Sequence, residues 1–404
     1  MTSSGRVTGL LFWTLCIVGF FAILSSTLSK DPVLNPFAHA LGTPDSLMGF
    51  VASASTIPGI LASLPAASLS DRLGRRKVLF ASGIVFASAP FLYLLVNSWW
   101  QLALVRFYHG FATAMFVPVG NAFVAELFPS NRAERISIFS SATVVGRTIA
   151  PFLGGYILFV TNNGFHELYL AVGIAGIAAF VTGLVLMKEK SQATEASLSP
   201  PRAGLGLMEG WASVAGNRKT LVVSLVGASQ YYAFGATEFF LVGYLREVAH
   251  FDSLSQGIIL GSQLAMIPLL MPLMGRLSDR TGRTIPIVTG SLVSAFALGM
   301  IPFTVRFPVL LLISVLYGIG YSLVTASTPA LVSELTDKAL IGTGMGFLGT
   351  IMDLGQTLGP IITGIVLAVG LGYLGSFASL TVILLATCGI FIISGASRIP
   401  AKNA

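Results

Sequence analysis

Charged residues are scarce in this chain, and their scarcity excludes most classes of soluble protein. Only 10% of the 404 residues are Asp, Glu, Lys or Arg, whereas a soluble domain has about 25%. The two cysteines, Cys16 and Cys388, stand in apolar runs, without the spacing of a disulfide framework or a metal site. The sequence also lacks a glycine-rich nucleotide loop with its lysine and a cluster of His and Cys. We therefore predict no enzyme, no metal site, no cofactor and no ATP site.

Long hydrophobic runs take the place of the missing charge. Hydrophobic residues make up 54% of the chain, in runs close to the ~20 residues with which a helix crosses a bilayer. The runs predict twelve transmembrane helices, over residues 8–29, 46–69, 77–96, 100–126, 136–160, 167–187, 219–245, 254–275, 284–305, 308–334, 341–369 and 373–396. The predicted fold is an all-α integral membrane protein with both termini on the same side.

Basic residues predict the orientation, because Lys and Arg near the ends of membrane helices tend to stay in the cytoplasm. Most of the 23 Lys and Arg residues fall on one side when the N-terminus is cytoplasmic. The sequence thus predicts a multi-pass protein of the plasma (inner) membrane with cytoplasmic N- and C-termini. This rule also accounts for the net charge of +7 without a nucleic-acid partner. We expect a monomer in the lipid bilayer that binds a small-molecule substrate.

The second half of the chain repeats the first. The segment SLSDRLGRRK returns as GRLSDRTGRT, and the step from Asp71 to Asp279, 208 residues, also relates Glu126 to Glu334. The repeat predicts two pseudo-symmetric six-helix bundles, residues 1–187 and 219–404, joined by a polar cytoplasmic linker over 188–218. Such repeats are typical of secondary transporters, whose binding sites lie between the repeats near the membrane midplane. The repeat therefore suggests alternating access.

The two repeated loops carry the most specific motif. It consists of Asp71, Arg72, Gly74 and Arg75 in the first copy, where Ala67 replaces a leading Gly, and of Gly275, Asp279, Arg280, Gly282 and Arg283 in the second. A short loop between two helices needs a positive φ, which Gly74 and Gly282 can adopt. The pattern resembles that of the major facilitator superfamily, most closely its twelve-helix drug:proton antiporter branch. The resemblance implies a latch between the two halves on the cytoplasmic side; the alternative is charge that only sets topology.

The fourth predicted helix contains a second motif of this family. Arg106-Phe-Tyr-His-Gly110 is similar to the pattern Arg-Phe-x-x-Gly, and the resemblance implies a buried arginine associated with proton coupling. A cation inside a membrane is costly and needs a partner, so it indicates a functional site. The alternative is that Arg106 extends to the outer interface, which Trp99 and Trp100 would mark.

Small residues and a proline define a third motif in the fifth predicted helix. It comprises Gly146, Ala150, Pro151, Gly154 and Gly155, and its relative in the eleventh helix keeps Gly359 and Pro360. Small residues allow close helix packing, and proline bends a helix. The motif is similar to the glycine and proline pattern of the antiporters, which implies export.

Four further charges lie within or beside apolar spans. We expect Arg147 to contact an acid or an anionic group, and Asp353 lies at nearly the equivalent place in the eleventh helix. Glu238 is the repeat partner of Lys30, the neighbour of Asp31, and a carboxylate that loses its water favours the protonated form. A surface ion pair of Asp31 and Lys30 is the alternative. Other cavity candidates are polar residues inside apolar spans: His109, Asn121, Gln230, Tyr231, Tyr232 and Gln263.

These residues support three functional hypotheses. The first is proton-coupled efflux of a small amphipathic solute, in which Asp31, Glu238 or Asp353 exchanges protons. The second is proton-coupled uptake or exchange of an organic anion, with Arg106 and Arg147 as a clamp. The third is a non-transporting membrane sensor or assembly partner. An ion or solute gradient is the expected energy source, because no ATP site is predicted.

Overall fold

The computed structural model describes residues 3–61, 70, 73–188, 207–337 and 340–396. These residues form helices joined by short turns, and no strand occurs among them. The helices, in chain order, are α1 (Ser3–Leu28), α2 (Leu34–Ala40), α3 (Asp45–Ser53), α4 (Arg75–Tyr93), α5 (Trp99–Leu127), α6 (Arg132–Val160), α7 (Phe165–Lys188), α8 (Leu207–Gly216), α9 (Arg218–Glu247), α10 (Ser253–Thr281), α11 (Thr284–Met300), α12 (Phe307–Leu335), α13 (Ile341–Val366) and α14 (Gly372–Ile393). The all-α architecture agrees with the prediction.

Most predicted spans coincide with an observed helix to within a few residues. The span predicted over 46–69 is interrupted, because α3 ends at Ser53 and helical residues resume at 57–61. Residues 62–69 lie outside the described part of the chain. The interruption matters for the site, because it leaves the last carbonyl groups of α3 without partners inside a helix.

Eight helical segments of the described chain are long and apolar enough to cross a membrane. Their outward surfaces carry exposed large apolar side chains such as Trp13, Ile174 and Phe296, as expected for helices that face lipid. These are the helices of a multi-pass membrane protein. The count of twelve and the side of the membrane on which the termini lie stay predictions.

The first of two compact units comprises Met1–Lys190 and Glu238–Leu264. Within it α1 packs along α6 and α7, and α4 packs along α5 and α7. Buried aromatic rings fill the space between these helices: Phe12, Phe86, Phe116 and Phe139. This core fixes the position of the turn that follows α1.

The second unit comprises Ser191–Thr237 and Ala265–Ala404. Here α11 packs along α12 and α14, around the buried side chains of Val223, Ile287, Val324 and Phe391. The predicted boundaries at 187 and 219 stay predictions, and residues 189–206 of the linker lie outside the described chain.

Glycines in the left-handed region form the tight turns between helices. Gly74 (φ +91°) directly precedes α4, and Gly282 (φ +82°) lies one residue before the N-cap of α11, which confirms the positive φ predicted for both. Gly370 (φ +85°) and Gly372 (φ +60°) separate α13 from α14. A residue with a Cβ atom adopts this conformation only at a cost.

Candidate functional site

Three charged side chains form a cluster in the first unit, where the turn after α1 meets α9. Lys30 Nζ donates a hydrogen bond to Glu238 Oε2 at 2.7 Å and lies 3.7 Å from Asp31 Oδ2. The side chains of Asp31 and Glu238 are 3% and 7% exposed, and that of Lys30 is 25% exposed. Asp31 is thus buried, and the nearer carboxylate to Lys30 is that of Glu238.

The cluster has two carboxylates for one ammonium group. Asp31 Oδ2 and Glu238 Oε1 are buried and accept no hydrogen bond from any described residue. Two carboxylates that share one site and little water do not both ionise easily, and a proton on one of them relieves the repulsion. The cluster can therefore take up one proton or one cationic group.

Arg106 is buried beneath the end of α3. Its Nε donates to Val51 O at 2.9 Å, and its Nη2 donates to Ala52 O at 3.0 Å and to Ser55 Oγ at 2.7 Å. Arg106 is 2% exposed, so it does not extend to the outer interface. It donates to two of the last carbonyl groups of α3, of which Val51 O also accepts a hydrogen bond from Ala54 N at 3.4 Å, and its positive charge suits the negative end of the helix.

Arg147 and Asp353 differ in their surroundings. Arg147, on α6, is exposed and makes no ion pair or hydrogen bond with another described residue, whereas Asp353, on α13, is half-buried and likewise has no ion-pair partner in the described chain. The positive charges of Arg106 and Arg147 both attract the carboxylate of Asp31. The expectation that Arg147 and Asp353 line one cavity stays a prediction.

His109 is part of an aromatic core. Its Nδ1 lies 3.4 Å from Tyr93 Oη, and its ring contacts Phe86 edge to face with a centroid distance of 5.8 Å. The Nε2 atom has no hydrogen-bond partner among the described residues. These contacts are those of a packed histidine beside Arg106.

Buried amides without partners identify other polar candidates. Gln230 and Gln263 are buried, and neither the oxygen nor the nitrogen of their amides is hydrogen-bonded within the described chain; the same holds for the half-buried Asn121 Oδ1. A buried polar atom without a partner costs about 1–3 kcal/mol, so such atoms indicate contacts with water or a solute. Next to Gln230, Tyr231 packs against Tyr321 at 5.8 Å between ring centroids, and Tyr232 is buried.

Each repeated loop holds an arginine that binds a glutamate of a longer helix. Arg75 Nε donates to Glu126 Oε1 at 2.9 Å, and Arg283 Nε donates to Glu334 Oε1 at 2.9 Å. Arg75 also donates to Ser70 Oγ, and Arg283 to Ser278 Oγ and to Asp279. The sequence motif does not include these glutamates, although the repeat offset relates them.

The other residues of the two loop motifs lie outside the described residues or make no side-chain hydrogen bond or ion pair with a described residue. Asp71 and Arg72 lie outside the described residues, and Arg280 is exposed while Gly275 is half-buried. Neither arginine–glutamate pair joins the two units: Arg75 and Glu126 both belong to the first unit, and Arg283 and Glu334 both belong to the second. A latch between the two halves stays a prediction.

The glycines of the third motif lie where backbones approach each other. A Cβ atom at Gly154 would lie 2.8 Å from Asp31 O, and one at Gly155 would lie 2.6 Å from Ser253 O and 2.8 Å from Gly257 Cα. At Gly146 it would collide with Phe20 O and at Gly359 with Tyr232 O. Pro151 and Pro360 stand inside α6 and α13. Gly154 thereby supports the turn that carries Asp31.

Comparison with known sequences identifies the family. The sequence model of the Major Facilitator Superfamily matches residues 10–360 and 223–403. The chain belongs to this superfamily (MFS). Its MFS membership makes it a multi-pass membrane transporter rather than an enzyme, and MFS transporters act within the membrane on small molecules.

Several MFS proteins are similar over most of their length. An uncharacterized MFS-type transporter of Methanocaldococcus jannaschii is 22% identical over 364 residues, which are 87% of this chain and 88% of that protein. Quinolone resistance protein NorA of Staphylococcus aureus is 24% identical over 345 residues, 82% of this chain and 84% of that protein.

Two solved structures share the MFS fold. The inward-facing, unoccupied form of a bacterial homologue of the human lysosomal transporter Spinster has a TM-score of 0.83 at 17% identity, with 98% of each chain covered. The nucleoside transporter NupG has a TM-score of 0.75 at 15% identity, with 95% of this chain and 98% of NupG covered.

Proposed function

We propose that the protein couples the entry of protons to the efflux of a small amphipathic solute by alternating access. The observation that carries this proposal is the buried cluster of Lys30, Asp31 and Glu238, in which two carboxylates share one ammonium group. The similarity to proteins named for quinolone resistance supports export. The proposal includes a monomer in the plasma (inner) membrane with cytoplasmic termini, driven by the proton gradient and without a cofactor.

The exchange follows from competition for one site. A proton that enters from the outside neutralises one carboxylate, and a solute with a cationic group reaches the same carboxylate only after that proton leaves. In a cavity closed to water, either occupant is held more strongly than in solution, because charges interact more strongly there. Proton and solute therefore cross in opposite directions in alternation.

Transport into proteoliposomes tests the proposal. Vesicles that contain the purified protein receive a fluorescent quinolone outside and an acidic interior, so that antiport concentrates the quinolone inside. We expect Glu238→Gln and Asp353→Asn each to reduce accumulation at least about tenfold, which corresponds to about 1.4 kcal/mol. Protein-free vesicles measure passive accumulation of the drug.

Glu247→Gln is the matched control, because Glu247 lies on the same helix as Glu238 and is exposed at its end. This control should transport as the unmodified protein does. Unchanged accumulation in both Glu238→Gln and Asp353→Asn would remove the proton assignment.

A second candidate function is proton-coupled uptake or exchange of an organic anion. Its supporting observation is Arg147, an exposed cation on a membrane helix without a partner in the described chain. Arg147→Gln should then abolish transport of anionic solutes and leave cationic solutes unaffected. Loss of cationic solutes alone would contradict it.

A further inference from the structure

We infer that Lys30 is a tethered counter-ion that limits the cluster to one added positive charge, either one proton or one monovalent cationic group of the solute. This inference rests on the proposed function and names the class of solute that the site accepts. It follows from counting the charges that face the two carboxylates.

The two carboxylates of the cluster share one ammonium group. Lys30 Nζ contacts Glu238 Oε2 at 2.7 Å and Asp31 Oδ2 at 3.7 Å, so its one charge serves both. When all three are ionised, one negative charge is left over. A site in a membrane protein binds cations until such an excess is neutralised, because further desolvated charge is costly.

No other charge among the described residues is bonded to these carboxylates. The positive charges of Arg106 on α5 and Arg147 on α6 attract Asp31. Nε and Nη2 of Arg106, however, donate to Val51 O, Ala52 O and Ser55 Oγ, and Arg147 is exposed. The aromatic neighbours are uncharged phenols: Tyr169 Oη donates to Ser29 O at 3.4 Å, and its ring stacks on that of Tyr93. Lys30 is therefore the side chain that sets the charge balance.

The ammonium group of Lys30 can also move between the two carboxylates. It is the most exposed member of the cluster, and its long side chain reaches both acids without a change in the backbone. When a proton or a cation occupies Glu238, the ammonium group can move to Asp31, from which it is already 3.7 Å away. The lysine thus keeps one acid compensated in each state of the cycle.

Proton counting on the purified protein without solute tests this inference. An acid pulse from alkaline to mildly acidic pH is applied in weakly buffered detergent, and a pH dye records the uptake. We expect Lys30→Gln to bind about one proton more per molecule than the unmodified protein, because two uncompensated carboxylates then share the site. Lys30→Arg keeps the charge and should restore the original uptake, and Lys219→Gln, an exposed lysine on α9, is the matched control.

A compensating variant keeps the test valid if Lys30→Gln is unstable. The double variant Lys30→Gln with Asp31→Asn again has one uncompensated acid, and its uptake should equal that of the unmodified protein. Thermal melting shows whether Lys30→Gln is folded. If the folded variant takes up as many protons as the unmodified protein, the inference is overturned.

Solute selectivity gives a second readout. In vesicles, we compare the ratio of the transport rates of a dicationic and a monocationic amphipathic solute. This ratio should be at least about tenfold higher for Lys30→Gln than for the unmodified protein, because the variant offers two negative charges. If the unmodified protein transports no solute while the extra proton is found, the proposed function fails and the charge balance stands. If it transports by proton exchange while Lys30→Gln changes neither proton uptake nor selectivity, only the inference fails.

Discussion

Lys30 and Glu238 occupy equivalent positions of the two repeats and also contact each other, with 2.7 Å between Nζ and Oε2 and 208 residues between them. The repeat offset relates the residues in sequence, whereas the salt bridge relates them in space. The two equivalent positions therefore carry opposite charges and form one ion pair.

A double-mutant cycle should measure this contact. Lys30→Gln leaves both carboxylates without an ammonium group, and Glu238→Gln removes the nearer acid and leaves Lys30 with Asp31 at 3.7 Å, so each should lower the melting temperature in detergent. The double variant should lose less free energy of unfolding than the two single variants lose together, and the difference, which is the coupling energy, should be about 1–3 kcal/mol. Additive losses would mean that the contact does not contribute to stability.

Arg106→Lys should destabilise the protein although it keeps the charge. A lysine cannot donate in the planar arrangement that reaches Val51 O, Ala52 O and Ser55 Oγ. Val51 O keeps its hydrogen bond from Ala54 N at 3.4 Å, whereas a buried acceptor that is left unpaired costs about 1–3 kcal/mol. Hydrogen exchange should increase at the end of α3 in particular.

The control for this prediction is Arg306→Lys, an exposed arginine directly before α12, which should change neither stability nor exchange. Normal stability of Arg106→Lys would show that the three hydrogen bonds are dispensable.

Gly155→Ala should separate α6 from α10. The added Cβ would lie 2.6 Å from Ser253 O and 2.8 Å from Gly257 Cα, and both are backbone atoms that cannot rotate away. Overpacking of this kind costs about 1–3 kcal/mol. Gly349→Ala, where a Cβ meets nothing within 4 Å, is the matched control and should be neutral or slightly stabilising. Equal melting temperatures for the two variants would contradict the close approach.

The arginine–glutamate pairs of the two loops should affect turnover more than stability. The side chains of Glu126 and Glu334 are more than a third exposed, and exposed pairs contribute about 0–1 kcal/mol. Glu126→Gln and Glu334→Gln should therefore melt within about 1 kcal/mol of the unmodified protein but transport several-fold more slowly. Transport at the normal rate by both variants would separate these pairs from gating.

The sequence predicted features that depend on local backbone chemistry and on hydropathy. The helices follow from runs of apolar residues, and the positive φ of Gly74 and Gly282 follows from a turn that other residues adopt at a cost. It did not predict that Lys30 contacts Glu238, because hydropathy does not determine which residues meet when distant helices pack.

The sequence does not predict the partners of three arginines for the same reason. The sequence predicts that Arg106 needs a partner, but the carbonyl groups that it binds become available only because α3 ends at Ser53. Glu126 and Glu334 stood out only as residues related by the repeat, although each binds the arginine of its own loop.

The turn between α13 and α14 lies within one long apolar stretch, and the predicted number of membrane crossings depends on it. The apolar stretch Ile341–Ile393 has 53 residues, and as one helix it would be about 80 Å long at 1.5 Å per residue, against a hydrocarbon layer of about 30 Å. Gly370 and Gly372 interrupt the helical conformation within it. In the predicted twelve-helix topology the stretch crosses twice and returns to the side from which it started; without the turn, it would cross once and end on the opposite side. The predicted cytoplasmic location of the C-terminus thus depends on two residues without side chains.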